Sequence, residues 1–244
     1  MSKITIELVH KVNLLQDITC LIFQSQDSFK FEPGQFLTIE VSPGVHRSYS
    51  LFYCDSKAPR YYENGLKDLS TDKYIGLMIN TKPDGAGSHW AQNIKVNQKF
   101  SAIGCNGSFV IHQSNKPKVF VATSTGIAPF VPMIESLLKQ NPKEAIVIFF
   151  GALTIQDNFS EQFLGGFESI YPDFKIYCCY DILEVNKQNS KQKSGRVTQI
   201  IPESMTNDQM QNSDFYLCGN PMMVEAANTL LVKNKVENIY FEKY

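Results

Sequence analysis

The feature that most constrains the fold of this chain is a change of hydrophobic pattern around the Ser-Asn-Lys-Pro stretch at 114–117. Before this stretch, short runs rich in β-branched and aromatic residues alternate with Pro-Gly or Asp-Gly pairs at 33–34, 43–44 and 84–85. Such spacing predicts an antiparallel β-barrel. The expected strands are residues 3–10, 18–24, 35–41, 47–52 and 74–80.

After this stretch, continuous apolar runs alternate with segments of helical period. Residues 119–122 and 145–150 have the pattern of strands buried on both faces, and 174–179 and 215–218 continue the series. Helices are expected over 128–140, with Pro129 in the first turn, 158–170 and 221–233. This alternation predicts a doubly wound parallel α/β sheet. The expected domains are therefore 1–114 and 118–244.

Composition and charge narrow the class of protein. With 43% hydrophobic residues and a net charge of -1, the 244-residue chain is neither disordered nor a nucleic-acid binder by overall basicity. It shows neither a membrane span nor a signal-peptide core, so we expect a cytoplasmic protein. The six cysteines form no C-x-x-C pair, and no two of the four histidines are four residues apart, so we expect no metal site. Redox chemistry would then require an organic cofactor.

Two motifs in the first half suit a phosphate-bearing cofactor. In Arg47-Ser48-Tyr49-Ser50, arginine can pair with a pyrophosphate, tyrosine can stack on a ring and serine can reach a ring nitrogen. The alternative is an ordinary strand end, but the chain has only three arginines, which favours a specific role. The turn at 85–88, Gly-Ala-Gly-Ser, permits close approach to a phosphate, or is simply a loop before a helix near His89.

Two strand-to-helix turns in the second half suit a dinucleotide. The segment 123–129, Thr-Ser-Thr-Gly-Ile-Ala-Pro, lies where dinucleotides bind in doubly wound sheets, although it lacks G-x-G-x-x-G and is also compatible with a helix N-cap. The segment 218–221, Cys-Gly-Asn-Pro, follows the last long strand, where Cys218 either packs or lines a ligand crevice. The terminal aromatic Tyr244 is typical of a chain end that is docked on the domain or frayed.

The order of these motifs resembles the ferredoxin–NADP reductase family over nearly the whole chain. The resemblance implies that the barrel binds FAD and the α/β domain binds NADPH or NADH. Arg47 would hold the FAD pyrophosphate together with residues 85–88, Tyr49 would stack on the isoalloxazine, and Ser50 would lie near flavin N5. Thr125 and Gly126 would face the nicotinamide half, with Cys218 and Gly219 opposite, and Tyr244 would cover the flavin.

The resemblance yields two sets of candidate residues. The catalytic candidates are Ser50, Cys218 and Tyr244. The cofactor-binding candidates are Arg47, Ser48, Tyr49, Ser50, Met78, Ile79, Asn80, Gly85, Ala86, Gly87, Ser88, Thr123, Ser124, Thr125, Gly126, Pro129, Arg196, Cys218, Gly219 and Tyr244.

The chain departs from the family pattern at the nucleotide side. Thr123 and Ser124 replace a glycine-rich start, and Leu153 and Asp181 stand where many relatives carry arginine. Only Arg196 matches a cationic position, and a carboxylate repels a 2′-phosphate, so charge favours NADH. NADPH remains an alternative coenzyme, because nearby lysines could supply the positive charge that its 2′-phosphate requires. These lysines are Lys187, Lys191 and Lys193.

The resemblance therefore implies an FAD-dependent oxidoreductase that transfers hydride between NAD(P)H and flavin. Because the chain has no iron–sulfur cysteine set, single electrons would pass to a separate ferredoxin or flavodoxin. The alternatives are a flavin reductase, a reductase subunit of an oxygenase, or a non-catalytic subunit that keeps the fold.

Overall fold

The computed structural model describes residues 2–26, 30–52, 74–82 and 84–243, in two compact units. The first unit groups Met1–Ile111 with Ala128–Met133, and the second groups His112–Ile127 with Ile134–Tyr244. The first segment of the first unit therefore ends three residues before the expected end of the first domain. The short segment 128–133 also belongs to the first unit. The cofactor assigned to each domain stays a prediction at this point.

The first unit is a closed six-stranded antiparallel barrel, as the turn spacing predicts. Its strands follow the order β1-β2-β5-β4-β3-β6 around the barrel. The elements are β1 Ser2–Leu15, β2 Ile18–Ser25, β3 Phe36–Ser42, β4 Val45–Phe52, β5 Tyr74–Asn80, α1 Ala86–Asn93 and β6 Lys99–Asn106. The predicted strands omitted β6, which closes the barrel by pairing with both β1 and β3. Helix α1 begins at Ala86, three residues before the predicted start near His89.

Alternating side chains of the barrel strands form one apolar core, as expected for half-buried strands. Leu37 and Ile39 of β3, Leu51 of β4 and Leu77 of β5 are all fully buried in it. Trp90 of α1 packs into the same core. Helix α1 therefore belongs to the barrel, and its amino end is fixed by packing.

The second unit is a six-stranded parallel sheet in the order β10-β9-β8-β7-β11-β12, which confirms the predicted α/β class. The strands are β7 Lys118–Thr123, β8 Ile146–Ala152, β9 Phe174–Tyr180, β10 Gln192–Ser194, β11 Asp214–Gly219 and β12 Ile239–Lys243. The helices are α2 Phe130–Gln140, α3 Ser160–Leu164, α4 Val197–Ser204, α5 Asn207–Gln211 and α6 Pro221–Lys233. The edge strands β10 and β12 and helices α4 and α5 were not predicted.

Two predicted helices differ in extent. The helix expected over 158–170 reduces to α3 and a run of turns, because the Gly-Gly pair at 165–166 disfavours helix. Helix α2 begins at Phe130, so Pro129 precedes the helix instead of occupying its first turn. A short 3-10 helix, Ser124–Ile127, occupies the space before it.

A buried ion pair fixes the amino ends of β7 and β11. The Lys118 Nζ lies 3.2 Å from Asp214 Oδ2, with both side chains 1% exposed. The same nitrogen donates to the carbonyl oxygens of Lys116 and Ser114. Burial raises the pKa of Asp214, but hydrogen bonds from Ser114, Asn238 and Lys118 outweigh it and hold the pKa below its usual value. The pair thus ties the segment before β7 to two central strands.

Within the described ranges, no helix is both long and apolar enough to cross a membrane. The same residues contain no cluster of three or more histidine, cysteine, aspartate or glutamate side chains arranged to hold a metal ion.

Candidate cofactor site

The Arg-x-Tyr-Ser motif lies where the pairing between β4 and β5 stops. Among the described residues, these strands pair only at Leu51–Leu77 and Phe52–Gly76. The same register would set residues 48–50 opposite residues 78–80, but no pairs between β4 and β5 occur there, although each strand keeps the pairing on its other edge, with β3 and β2 respectively. The two strands therefore diverge beside the motif. Two predicted groups, 48–50 and 78–80, therefore lie on neighbouring strands at the point where their pairing ends.

The glycine turn lies against the same motif. A Cβ placed on Gly87 would come 2.5 Å from Tyr49 Oη and 3.5 Å from Arg47 Cγ, so only glycine fits without displacing Tyr49. Gly85 is the N-cap of α1 and has no side-chain cap, and the first turn carries no acidic residue. An uncapped helix amino end beside an arginine attracts phosphate. The structure thus brings the two predicted phosphate elements together, and this cradle fits a pyrophosphate.

Tyr49 is the ring that the motif contributes. Burial raises the pKa of Tyr49 to about 12 and outweighs the nearby Arg47, which lowers it. The phenol therefore stays neutral and can donate a hydrogen bond at physiological pH. Its ring stacks on Trp90, with centroids 6.1 Å apart and planes at 16°. Sequence reasoning missed Trp90, although it follows Ser88 by two residues and is the chain's single tryptophan.

The remaining barrel candidates have structural contacts. Ser48 Oγ lies 2.9 Å from Thr38 Oγ1 on β3. Ser88 Oγ donates to the carbonyl oxygen of Asn80 at 3.5 Å, which links α1 to the end of β5. Ile79 packs in the barrel core, whereas Met78 is buried outside that cluster. Arg47 is exposed, and its Nη1 donates to the neighbouring carbonyl of His46 at 2.8 Å.

In the second unit, the turns after β7 and β11 lie in direct contact. A Cβ on Gly126 would come 2.2 Å from the Cys218 carbonyl oxygen, and one on Gly219 would come 2.6 Å from the Thr123 carbonyl oxygen. The Asn220 N–H donates to Thr123 Oγ1 at 3.1 Å. Two predicted motifs therefore form one site at the carboxyl ends of adjacent parallel strands, where ligands bind in open α/β sheets.

Ser124, which stands in place of the family's glycine-rich start of this turn, has an unusual backbone conformation. Its φ of 52° lies in the left-handed region that favours glycine. The turn thus adopts a glycine-like conformation without glycine. Thr125 follows within the 3-10 helix and is half-buried, and Pro129 is buried after it.

The charged candidates near β9 are already paired. Arg196 Nε lies 3.3 Å from Asp181 Oδ2, and the arginine side chain is 75% exposed. Lys191 Nζ lies 2.8 Å from Glu168 Oε2 and 3.3 Å from Glu161 Oε1. The remaining pairs are Lys187 with Glu184, and Lys193 with the Tyr177 ring.

The three catalytic candidates are two buried side chains and one residue outside the described ranges. Ser50 is 5% exposed and Cys218 is fully buried, so neither side chain faces solvent in this structure. Tyr244 lies outside the described residues. Their catalytic roles stay predictions.

Comparison with known proteins gives a family for the second unit. Residues 120–229 match the oxidoreductase NAD-binding domain family. The toluate 1,2-dioxygenase electron transfer component of Pseudomonas putida is 27% identical, with 90% of this chain and 60% of the relative covered. A ferredoxin–NAD(P)+ reductase component of naphthalene 1,2-dioxygenase/salicylate 5-hydroxylase systems from a Ralstonia species is 25% identical, with 89% and 61% covered. The chain thus spans about three-fifths of these relatives.

Solved structures share the two-unit fold. A cytochrome P450 reductase from Amycolatopsis superposes with a TM-score of 0.83 at 19% identity, covering 99% of this chain and 69% of that one. A ferredoxin NADP+ reductase from Neisseria gonorrhoeae, solved with FAD and NADP, has a TM-score of 0.76 at 16% identity and covers 100% and 99%. The resemblance predicted from the motifs is therefore confirmed: the chain shares the two-domain fold of ferredoxin–NADP reductase-type proteins, and its residues 120–229 match an oxidoreductase NAD-binding domain.

Proposed function

We propose that this chain is an FAD-containing reductase that takes a hydride from a nicotinamide coenzyme and passes single electrons to another protein. The carrying observation is the contact of Gly87 with Tyr49 and Arg47, which joins an uncapped helix amino end, an arginine and an aromatic ring in one cradle. The helix amino end and the arginine can bind phosphate, and the aromatic ring can stack on a flavin. The FAD, when bound, supplies hydride acceptance and single-electron release.

In this proposal the barrel residues bind and orient. Arg47 and the N–H groups at the start of α1 hold the pyrophosphate, because both provide positive potential without a competing side-chain cap. Tyr49 presents its ring to the isoalloxazine and keeps its phenolic proton. Where β4 and β5 diverge, residues 48–50 line the place of the flavin ring.

The turns at Gly126 and Gly219 bind the coenzyme. Their close approach sets the backbone of both turns side by side at the carboxyl ends of β7 and β11. The match of residues 120–229 to an NAD-binding family supports this assignment.

The ion pairs around β9 favour NADH over NADPH. A 2′-phosphate needs unpaired cations, but Arg196 is engaged by Asp181, and Lys191 by two glutamates. The Asp181 carboxylate suits the ribose hydroxyl of NADH and repels a phosphate. We expect higher kcat/KM with NADH. Asp181→Ala should lower the NADH-to-NADPH ratio of kcat/KM by freeing Arg196, whereas the control Glu7→Ala, which frees Lys99 on the barrel, should leave that ratio unchanged.

The acceptor is a one-electron protein of the ferredoxin type. Relatives that carry the names electron transfer component and ferredoxin–NAD(P)+ reductase component support this choice. The same names favour a second candidate, a reductase component of an oxygenase system, in which the electrons go directly to the oxygenase. A screen of ferredoxin, flavodoxin and oxygenase acceptors separates the two.

The experiment that tests the proposal is the binding of FAD to wild type and Arg47→Lys. Lysine keeps the charge but loses the paired geometry toward the pyrophosphate, which should cost about 1.5–3 kcal/mol. FAD affinity should therefore fall at least tenfold in Arg47→Lys and stay unchanged in Lys82→Ala, a lysine in the segment before the turn. A wild-type protein that binds FMN alone, or no flavin, would refute the proposal.

A further inference from the structure

Trp90 lies in the barrel core and contacts Tyr49 of the proposed flavin site. It is 7% exposed, and two near-parallel rings stack on it. Phe23 stacks on it at 6.2 Å and 7°, and Tyr49 at 6.1 Å and 16°. Phe100 meets it edge-on at 5.2 Å and 82°.

Trp90 restrains the ring of Tyr49, while Gly87 restrains its hydroxyl. Trp90 packs against the Tyr49 ring, and the backbone at Gly87 leaves no room for the Tyr49 hydroxyl to move toward α1. Because Trp90 and Gly87 belong to the same helix, α1 fixes both the ring and the hydroxyl of one tyrosine.

Trp90 also carries a cost that a phenylalanine would avoid. Its Nε1 is buried and has no hydrogen-bond partner among the described residues. A buried donor without a partner is destabilising. Phenylalanine would provide a stacking ring without that donor, so the ring of Trp90 and not its N–H is what the contact with Tyr49 uses.

We propose that Trp90 is a positioning residue for the flavin: by stacking on Tyr49 it sets the plane on which the isoalloxazine rests. This inference rests on the proposed function, in which Tyr49 contacts the flavin. Trp90 acts through Tyr49 and takes no part in the electron transfer. It links the phosphate-binding turn to the ring-binding strand, so the two halves of FAD meet a single rigid surface.

The matched variants are Trp90→Leu, Trp90→Phe and Phe23→Leu. Phe23 contacts the same tryptophan and lies in the same core, so Phe23→Leu reports loss of core packing. The measurements are urea unfolding of the apoprotein, the dissociation constant of FAD and the visible circular dichroism of bound flavin. They are made where every variant is folded.

We expect Trp90→Leu to weaken FAD binding at least tenfold and to change the flavin dichroism. Trp90→Phe should restore both to near wild-type values, and Phe23→Leu should lower apoprotein stability without changing either flavin signal. Equal flavin signals for Trp90→Leu and wild type, or equal effects of Trp90→Leu and Phe23→Leu, would overturn the inference.

A second measurement needs no variant. Trp90 is the chain's single tryptophan, so tryptophan emission reports on this position alone. We expect titration with FAD to quench the emission of the wild-type apoprotein nearly completely and saturably. Emission unchanged while FAD binds would overturn the inference and leave the proposed function standing, whereas a wild-type protein that binds no FAD would refute the proposed function itself.

Discussion

Replacing Gly87 by alanine tests the cradle directly. The added Cβ would lie 2.5 Å from Tyr49 Oη, so the tyrosine must move. Moving it forfeits stacking on Trp90, which costs about 0.5–1.5 kcal/mol. Alanine in a helix interior is more favourable than glycine by roughly 0.5–1 kcal/mol. These two effects nearly cancel, so the free energy of unfolding of the apoprotein should change little.

FAD binding should respond quite differently to Gly87→Ala. The methyl group would also lie 3.5 Å from Arg47 Cγ, and displacement of Tyr49 would disturb the arginine beside it. Losing one charged hydrogen bond to the pyrophosphate costs about 1.5–3 kcal/mol. Since about 1.4 kcal/mol is tenfold in affinity, the dissociation constant should rise ten- to a hundredfold.

The assay is a flavin titration of apoprotein, paired with urea unfolding of the same preparations. Gly85→Ala is the control, because a Cβ there meets nothing within 4 Å in the apoprotein. It should weaken FAD binding less than Gly87→Ala does. If Gly87→Ala binds FAD as tightly as wild type, the contact of Gly87 with Tyr49 and Arg47 is a packing detail, and the reasoning for a pyrophosphate cradle is wrong.

Three further outcomes are expected. Lys118→Met should lower the free energy of unfolding at pH 7 by about 3–5 kcal/mol, because it leaves the Asp214 carboxylate buried without its cation. In wild type, the stabilisation from Asp214 is present above its unfolded pKa and lost as pH falls through its lowered folded pKa, so urea midpoints of wild type and Lys118→Met should converge in acid. Gly126→Ala should cost roughly 1–3 kcal/mol in urea unfolding and weaken coenzyme binding by separating the turn from Cys218; an unchanged midpoint would contradict the contact. Ser124→Gly should leave the urea midpoint equal or slightly higher. The reason is that relief of about 1–2 kcal/mol of left-handed strain at least offsets the entropy cost of glycine. A clear fall in the midpoint would show that the Ser124 side chain stabilises the turn.

The sequence predicts most of the barrel and the order of the sheet because both follow from local patterns. Strand β5 has the predicted limits, since its apolar run ends where polar turn residues begin. The contact between the turns at Gly126 and Gly219 is also foreseeable, because carboxyl ends of parallel strands meet at one edge.

What the sequence does not predict depends on residues far apart in the chain. Trp90 stacks on Tyr49, which is 41 residues earlier, and Lys118 pairs with Asp214, which is 96 residues later. No periodic pattern in the sequence relates residues so far apart. Strand β12 carries an aromatic pattern that suits a terminal strand or a frayed end equally, and only its pairing with β11 decides between them. The divergence of β4 from β5 is invisible for the same reason, because both strands have regular strand patterns beyond the point where they separate.

The most direct test of the account is anaerobic mixing of the FAD-loaded protein with NADH. The visible absorption of the oxidised flavin should be lost within one equivalent of NADH and more slowly with NADPH, and a one-electron acceptor protein should restore it. Flavin that binds in the barrel but keeps its oxidised spectrum with both coenzymes would contradict the account.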